Sequence, residues 1–322
     1  MPRRPGTAAV RVRVRVPSKV NLFLAIRGVR TDGLHELVTV LQTVALHDAI
    51  TAELDDQPSA SHPAARRFMG LEFAVDGAGA VPTDGSNLAV RAARRLMEEC
   101  GIGRASQTDQ PHQHPVTRLR LDKKIPIAAG MAGGSADAAA TLVALNQLWD
   151  AGLDRMQLAA LAADLGADVP FCVSGGTAIA TGTGTSTAQV LVRGAYHWVI
   201  GVSRAGLSTA DVYRTFDDIG TPSAVEPDAV LQALRTADPE ALGAALHNDL
   251  EVAAFHLRPE LEAAKKSMIA AGAYGAVVSG SGPTVMGLAP SRLEAQRIAD
   301  EVGHLFDRVE LASSPAGGPE VH

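Results

Sequence analysis

The chain has 322 residues, 46% hydrophobic and 20% charged, with a formal net charge of −6. That is enough for two domains and a large core, and the wrong sign for a protein whose main partner is a phosphate backbone. Cys100 and Cys172, its two cysteines, show neither metal spacing nor a disulfide framework, Arg3 and Arg4 are not followed by a secretory apolar region, and no apolar run approaches ~20 residues. The expectation is a cytoplasmic protein with no membrane or nucleic-acid partner.

Arg11, Arg13 and Arg15 alternate with Val10, Val12, Val14 and Val16, which predicts a first strand with a solvated basic face. The apolar run continues as Pro17-Ser-Lys19-Val-Asn21-Leu-Phe23-Leu-Ala-Ile26. At a period of two, Lys19 and Asn21 share one face while Val20, Leu22, Leu24 and Ile26 point into the core. Lys19 is either a strand-end cation reaching water or a functional one. A polar turn, Thr31-Asp-Gly-Leu34-His35-Glu-Leu37, follows. Residues 55–70 and 103–116 read as irregular surface insertions, because their Pro, Ser, His and Gln content supports no core. His112 and His114 in the second have no third ligand nearby and read as a polar loop. A helix is predicted between the insertions, over 86–100.

The run Pro126-Ile127-Ala128-Ala129-Gly130-Met131-Ala132-Gly133-Gly134-Ser135-Ala136-Asp137 is the most informative stretch. Its glycines can take positive φ and present bare N–H groups. Ser135 is a suitable N-cap for a helix over 135–150 that places Leu142, Leu145 and Trp149 at helical spacing. Orphan N–H groups and the positive end of the dipole converge there, as an anion site needs. No Lys follows the glycines, so this is neither the P-loop nor the dinucleotide fingerprint. A helix over 154–165 leads to Gly166-Ala-Asp168-Val-Pro170-Phe-Cys172-Val173, read as a carboxylate at the entry to an apolar strand over 169–173. A carboxylate among apolar neighbours needs a partner.

The turn-rich Thr181-Gly-Thr-Gly-Thr185 reads as the start of a second domain. Beyond it come a strand from Trp198 to Val202, helices over 227–236 and 239–254, and a strand-turn-strand around Ser279-Gly280-Ser281-Gly282-Pro283. Ser313 to His322 reads as a disordered tail. Strands and helices mixed without a strict βαβ repeat point to the α+β class, with domains at 1–180 and 181–312.

Lys19 with Asn21, the Asp32-Gly33-Leu34-His35-Glu36 turn, the 126–136 loop, Gly166-Ala-Asp168-Val-Pro170 and the Gly280 loop together resemble the superfamily of galacto-, homoserine, mevalonate and phosphomevalonate kinases. Within it, their order and spacing are most similar to the 4-diphosphocytidyl-2-C-methyl-D-erythritol kinases of the non-mevalonate isoprenoid pathway. The resemblance implies an α+β fold of two domains with the site in the cleft between them, and ATP and Mg²⁺ as donor and cofactor. The substrate implied is a cytidyl diphosphate sugar alcohol. Asp168 would be the catalytic carboxylate and Lys19 the catalytic lysine. Residues 126–136 would cradle the triphosphate, and Asn21, Leu34, His35, Thr209 and Tyr213 would contact the substrate. The metal ligands are not implied; Ser135 is a candidate by analogy. Leu34 stands where the family usually has a Tyr stacked on the cytosine, which leaves another acceptor of the superfamily, or a nucleotide-binding module without chemistry, as alternatives.

Overall fold

In the computed structural model, residues 10–55, 66–68, 70–77, 81–102, 116–203 and 206–322 are described. The Arg/Val alternation opens β1 (Arg11–Val29), which turns at Arg30–Leu34 into β2 (His35–Asp55). Val12, Val14 and Val16 are buried while Arg11 and Arg15 are exposed, as period two requires. From Val16 to Ile26 both faces are buried, where the helix over 133–148 and other elements pack against the strand. β3 (Arg66–Phe68) and β4 (Leu71–Gly77) precede α1 (Leu88–Glu99), which Asn87 caps by accepting from the Ala89 N–H. β5 (Val116–Lys123) then runs parallel to β4 and antiparallel to β2. Residues 56–65 and 103–115, most of both expected insertions and both loop histidines, lie outside the described residues.

α2 (Gly133–Leu148) packs on β1, β2 and α1, and α3 (Arg155–Ala163) starts at a capping box between Asp154 and Gln157. Residues 169–173 are a correction: they form not a strand but a short helix, α4 (Val169–Ser174). An apolar run bounded by glycines fits a buried helical turn as well as a strand, and Pro170 lies in the first turn, where a missing N–H costs nothing. β6 (Thr177–Gly182) and β7 (Ser186–Gln189) form a hairpin on β2, so the turn at Thr181–Thr185 lies within this sheet.

The chain then enters a second sheet. β8 (Tyr196–Val202) is followed by α5 (Thr209–Ile219), α6 (Asp228–Thr236) and α7 (Pro239–Ala245). The helix expected over 239–254 is broken by β9 (His247–Asn248), which pairs with Phe23 and Leu24 of β1, before α8 (Glu251–Leu257) resumes. The break has a cause: the Asn248 amide donates to the carbonyls of Val278 and Gly280, both at 2.8 Å, and accepts from the Leu250 N–H. α9 (Glu260–Ala270), β10 (Gly275–Val278), β11 (Val285–Ala289), α10 (Arg292–Val302) and β12 (Arg308–Ser314) complete a four-stranded antiparallel sheet in the order β10-β11-β8-β12, backed by α9 and α10.

The tail expected to be disordered is ordered. Ala316 donates to the Thr43 carbonyl, the Thr43 hydroxyl donates to Ala316, and β13 (Glu320–Val321) pairs with Val14 and Arg15. Among the described residues the larger sheet therefore has nine strands. Its main order is β13-β1-β2-β5-β4-β3, with β6 on β2, β7 on β6 and β9 on β1. No helix among the described residues is long and apolar enough to cross a membrane.

Candidate active site

A cleft of about 620 Å³ opens where β1, the loop before α2, the start of α4, the start of α5 and the Gly280 turn converge. Lys19 and Asn21 do share a face. The Lys19 ammonium donates to Asn21 Oδ1 at 2.5 Å and lies 3.7 Å from Asp168 Oδ2. Its side chain is 5% exposed and that of Asp168 36%, so the cation is buried and the carboxylate faces the cleft. An ammonium removed from water needs such partners. Asn21 is fixed in turn by Thr39, which accepts from its amide at 2.9 Å and donates to the Phe23 carbonyl. Asp168 stands at the N-terminal end of α4 and makes no capping hydrogen bond, which leaves its oxygens to Lys19 and the cleft.

The loop before α2 forms one wall. Gly130 has φ +71°, and a Cβ there would lie 1.9 Å from the Ser279 carbonyl oxygen. The Ser279 hydroxyl donates to the Gly130 carbonyl at 3.0 Å, so the Gly280 turn is bound directly to this loop. The helix starts two residues earlier than expected. Ala132, at φ 55°, occupies the cap position without a side-chain bond, and Ser135 is not the N-cap. The left-handed residue turns the chain so abruptly that Gly133 and Gly134 already belong to the helix. Pro126 to Gly130 and Ala132 to Ser135 line the cleft, whereas Met131 and Ala136 are buried in the core. A helix N-terminus without a side-chain cap leaves N–H groups for an anionic ligand.

On the opposite side, Thr209 and Tyr213 of α5 line the cleft with Ser281, and the Thr209 and Ser281 hydroxyls are 3.0 Å apart. The Tyr213 ring lies 4.7 Å from that of His35, tilted by 39°, and the His35 Nε2 is 2.7 Å from Asp217 Oδ1. Burial, with the negative charge of Asp168, pushes the Tyr213 phenol up to about 12. Leu34 is 54% exposed at the turn and does not line the cleft. Residue types alone did not single out Thr39, Asn248 or Asp217, and marked Ser279 only as part of a turn; each is an ordinary polar residue until the fold supplies its partner.

Two family models match the chain: residues 87–176 match the GHMP kinases N terminal domain and residues 230–308 the GHMP kinases C terminal domain. A 4-diphosphocytidyl-2-C-methyl-D-erythritol kinase of Salinispora arenicola is 44% identical over 317 residues, 96% of this chain and 94% of that protein. One of Mycolicibacterium smegmatis is 41% identical over 319 residues, 96% and 92% of the two chains. Among solved structures, 4-(cytidine 5'-diphospho)-2C-methyl-D-erythritol kinase superposes with a TM-score of 0.71 at 32% identity, covering 95% of this chain and 100% of that one. Homoserine kinase from Cytophaga hutchinsonii shares the fold at 20% identity and a TM-score of 0.70. With both domain matches and full-length relatives above 40% identity, the chain belongs to the GHMP kinases and, among them, to the 4-diphosphocytidyl-2-C-methyl-D-erythritol kinase family.

Proposed function

We propose that the chain transfers the γ-phosphoryl group of ATP to the 2-hydroxyl of 4-diphosphocytidyl-2-C-methyl-D-erythritol, giving the 2-phosphate and ADP. The observation that carries this is the Lys19–Asp168 pair, 3.7 Å apart, set between a glycine-rich helix N-terminus and a polar, aromatic wall. Phosphoryl transfer asks the protein for positioning and charge stabilisation, with a group to take the hydroxyl proton. Asp168 accepts that proton. Lys19, paired with Asp168, stabilises negative charge as it develops on the attacking oxygen.

The donor's triphosphate fits the 126–135 loop: the helix end has no side-chain cap, and Gly130 lets the backbone close against Ser279. Mg²⁺ would neutralise the phosphate oxygens when bound, and Ser135, at the cleft, is within the set of residues available to it. Tyr213 and Thr209 provide an aromatic face and a polar contact at the cleft, with His35 against the Tyr213 ring, an arrangement suited to a base and its ribose diphosphate. The exposed Leu34 in place of an aromatic favours, as a second reading, another alcohol acceptor in the same site.

The test is ADP release from ATP and Mg²⁺ with the cytidyl substrate, run beside mevalonate, homoserine and galactose. Turnover on the cytidyl substrate alone is the expected result; turnover on another acceptor alone overturns the substrate and leaves the kinase chemistry.

A further inference from the structure

A second charged cluster lies at the root of the glycine-rich loop. The Lys123 ammonium, at the end of β5, is 2.5 Å from Asp48 Oδ2 and 2.7 Å from Asp137 Oδ2, and none of the three side chains is more than 4% exposed. Asp48 is satisfied: its Oδ1 accepts from the N–H groups of Lys124 at 2.5 Å and Ile125 at 2.8 Å. Asp137 is not. Its Oδ1 is buried and has no hydrogen-bond partner, although the residue lines the same cleft as Ser135 and Asp168. Buried polar atoms rarely stay unpaired, because each forfeits its hydration for nothing.

The charges are also unbalanced. Two carboxylates share one ammonium, so full ionisation would leave one negative charge with no countercharge in the protein, close to a helix N-terminus that lines the same cleft. The cluster lies near the reacting pair: Lys19, Lys123, Asp137 and Asp168 all line the same cleft. A phosphate chain beside Asp137 would meet repulsion unless a cation lay between them.

Mg²⁺ is commonly held by one or two carboxylates together with substrate phosphates rather than by an all-protein cage. Among the described residues no cluster of three or more His, Cys, Asp or Glu could form such a cage. We infer that Asp137, through its unpaired Oδ1, is the protein's carboxylate ligand for the divalent cation carried by the bound nucleotide, with Lys123 and Asp48 as positioning residues. Gly133 belongs to the device, since a Cβ there would lie 2.9 Å from the Lys123 ammonium. The inference rests on the kinase reading above.

The test uses the full chain with adenylyl imidodiphosphate and Mn²⁺, which is followed directly by loss of the free-ion magnetic resonance signal. In Asp137→Asn, with its fold checked by circular dichroism, Mn²⁺ affinity in the ternary complex should fall about 10–100-fold, while metal-free nucleotide affinity, relieved of the carboxylate's repulsion, should not fall. Mn²⁺ affinity unchanged in the folded variant overturns the assignment. Independently of any variant, the anomalous peak of Mn²⁺ in crystals of the wild-type complex should lie about 2.1 Å from Asp137 Oδ1. A peak outside ligating distance overturns it too. A chain that binds no adenine nucleotide with or without metal refutes the kinase reading itself, whereas nucleotide binding with the cation held elsewhere refutes only the role of Asp137.

Discussion

Gly130→Ala tests whether the glycine-rich loop and the Gly280 turn act as one unit. The backbone at φ +71° costs an alanine about 1–2 kcal/mol. The new Cβ would also lie 1.9 Å from the Ser279 carbonyl oxygen, a backbone atom that cannot rotate away. To reach an ordinary contact the two segments must part by more than about 1 Å, which breaks the 3.0 Å bond from the Ser279 hydroxyl to the Gly130 carbonyl, worth about 1 kcal/mol. The summed destabilisation, about 2–3 kcal/mol, leaves a folded protein in most domains. Misplacing catalytic groups by about 1 Å can cost 100-fold in rate, so kcat/KM should fall about 100-fold while urea unfolding shows only the smaller loss. Gly101→Ala is the control: φ +67° again, but open space around the Cβ and a position outside the cleft. It should lose about 1 kcal/mol of stability and no activity. Gly130→Ala with activity within twofold of wild type would refute the coupling of the two loops.

The remaining predictions concern the chemistry, the base and the tail. Asp168→Asn should lower kcat by about 10²–10⁴ with nucleotide affinity unchanged, read by single-turnover ADP release and by calorimetry; near-full turnover would remove Asp168 from proton transfer. Lys19→Met should lower kcat by about 10²–10³, and because Lys19 and Asp168 act as a pair the double variant should lose less than the product of the two; independent, multiplicative losses would count against the pairing. Leu34→Tyr should tighten KM for the cytidyl substrate by about 2–10-fold, the worth of an added ring contact, with kcat unchanged; no change would mean that the exposed turn stays clear of the base. Removing residues 315–322 deletes the strand pairing at Val14 and Arg15 and the bonds between Thr43 and Ala316, and should cost about 2–4 kcal/mol in urea unfolding, while unfolding at the wild-type midpoint would deny the tail any share in stability.

The glycine loop and the Lys19–Asn21 face were legible in the sequence because each is a local rule: small residues where backbone must approach, and a period of two along one strand. Local rules failed where two conformations satisfy the same pattern. Residues 169–173 are apolar throughout, which suits a buried helical turn as well as a strand, and the proline that could have decided it was outweighed by the apolar run. The segment 239–254 has helical composition, but Asn248 is worth more as an anchor for the Gly280 turn than as one more helical residue. The tail is rich in Pro and Gly, yet a few backbone bonds to Thr43 and Arg13 order it. The Asp48–Lys123–Asp137 cluster was the least legible feature, since its members are ordinary charged residues 75 and 14 positions apart. What joins them is register: Ala49 pairs with Asp122, which sets Asp48 and Lys123 side by side at the end of β5, and the early start of α2 brings Asp137 onto the same ammonium. An arrangement that buries two carboxylates on one lysine and leaves one oxygen unpaired gives up stability that an apolar trio would keep. Its place beside the phosphate loop gives that loss a function if a cation completes the cluster when the nucleotide binds.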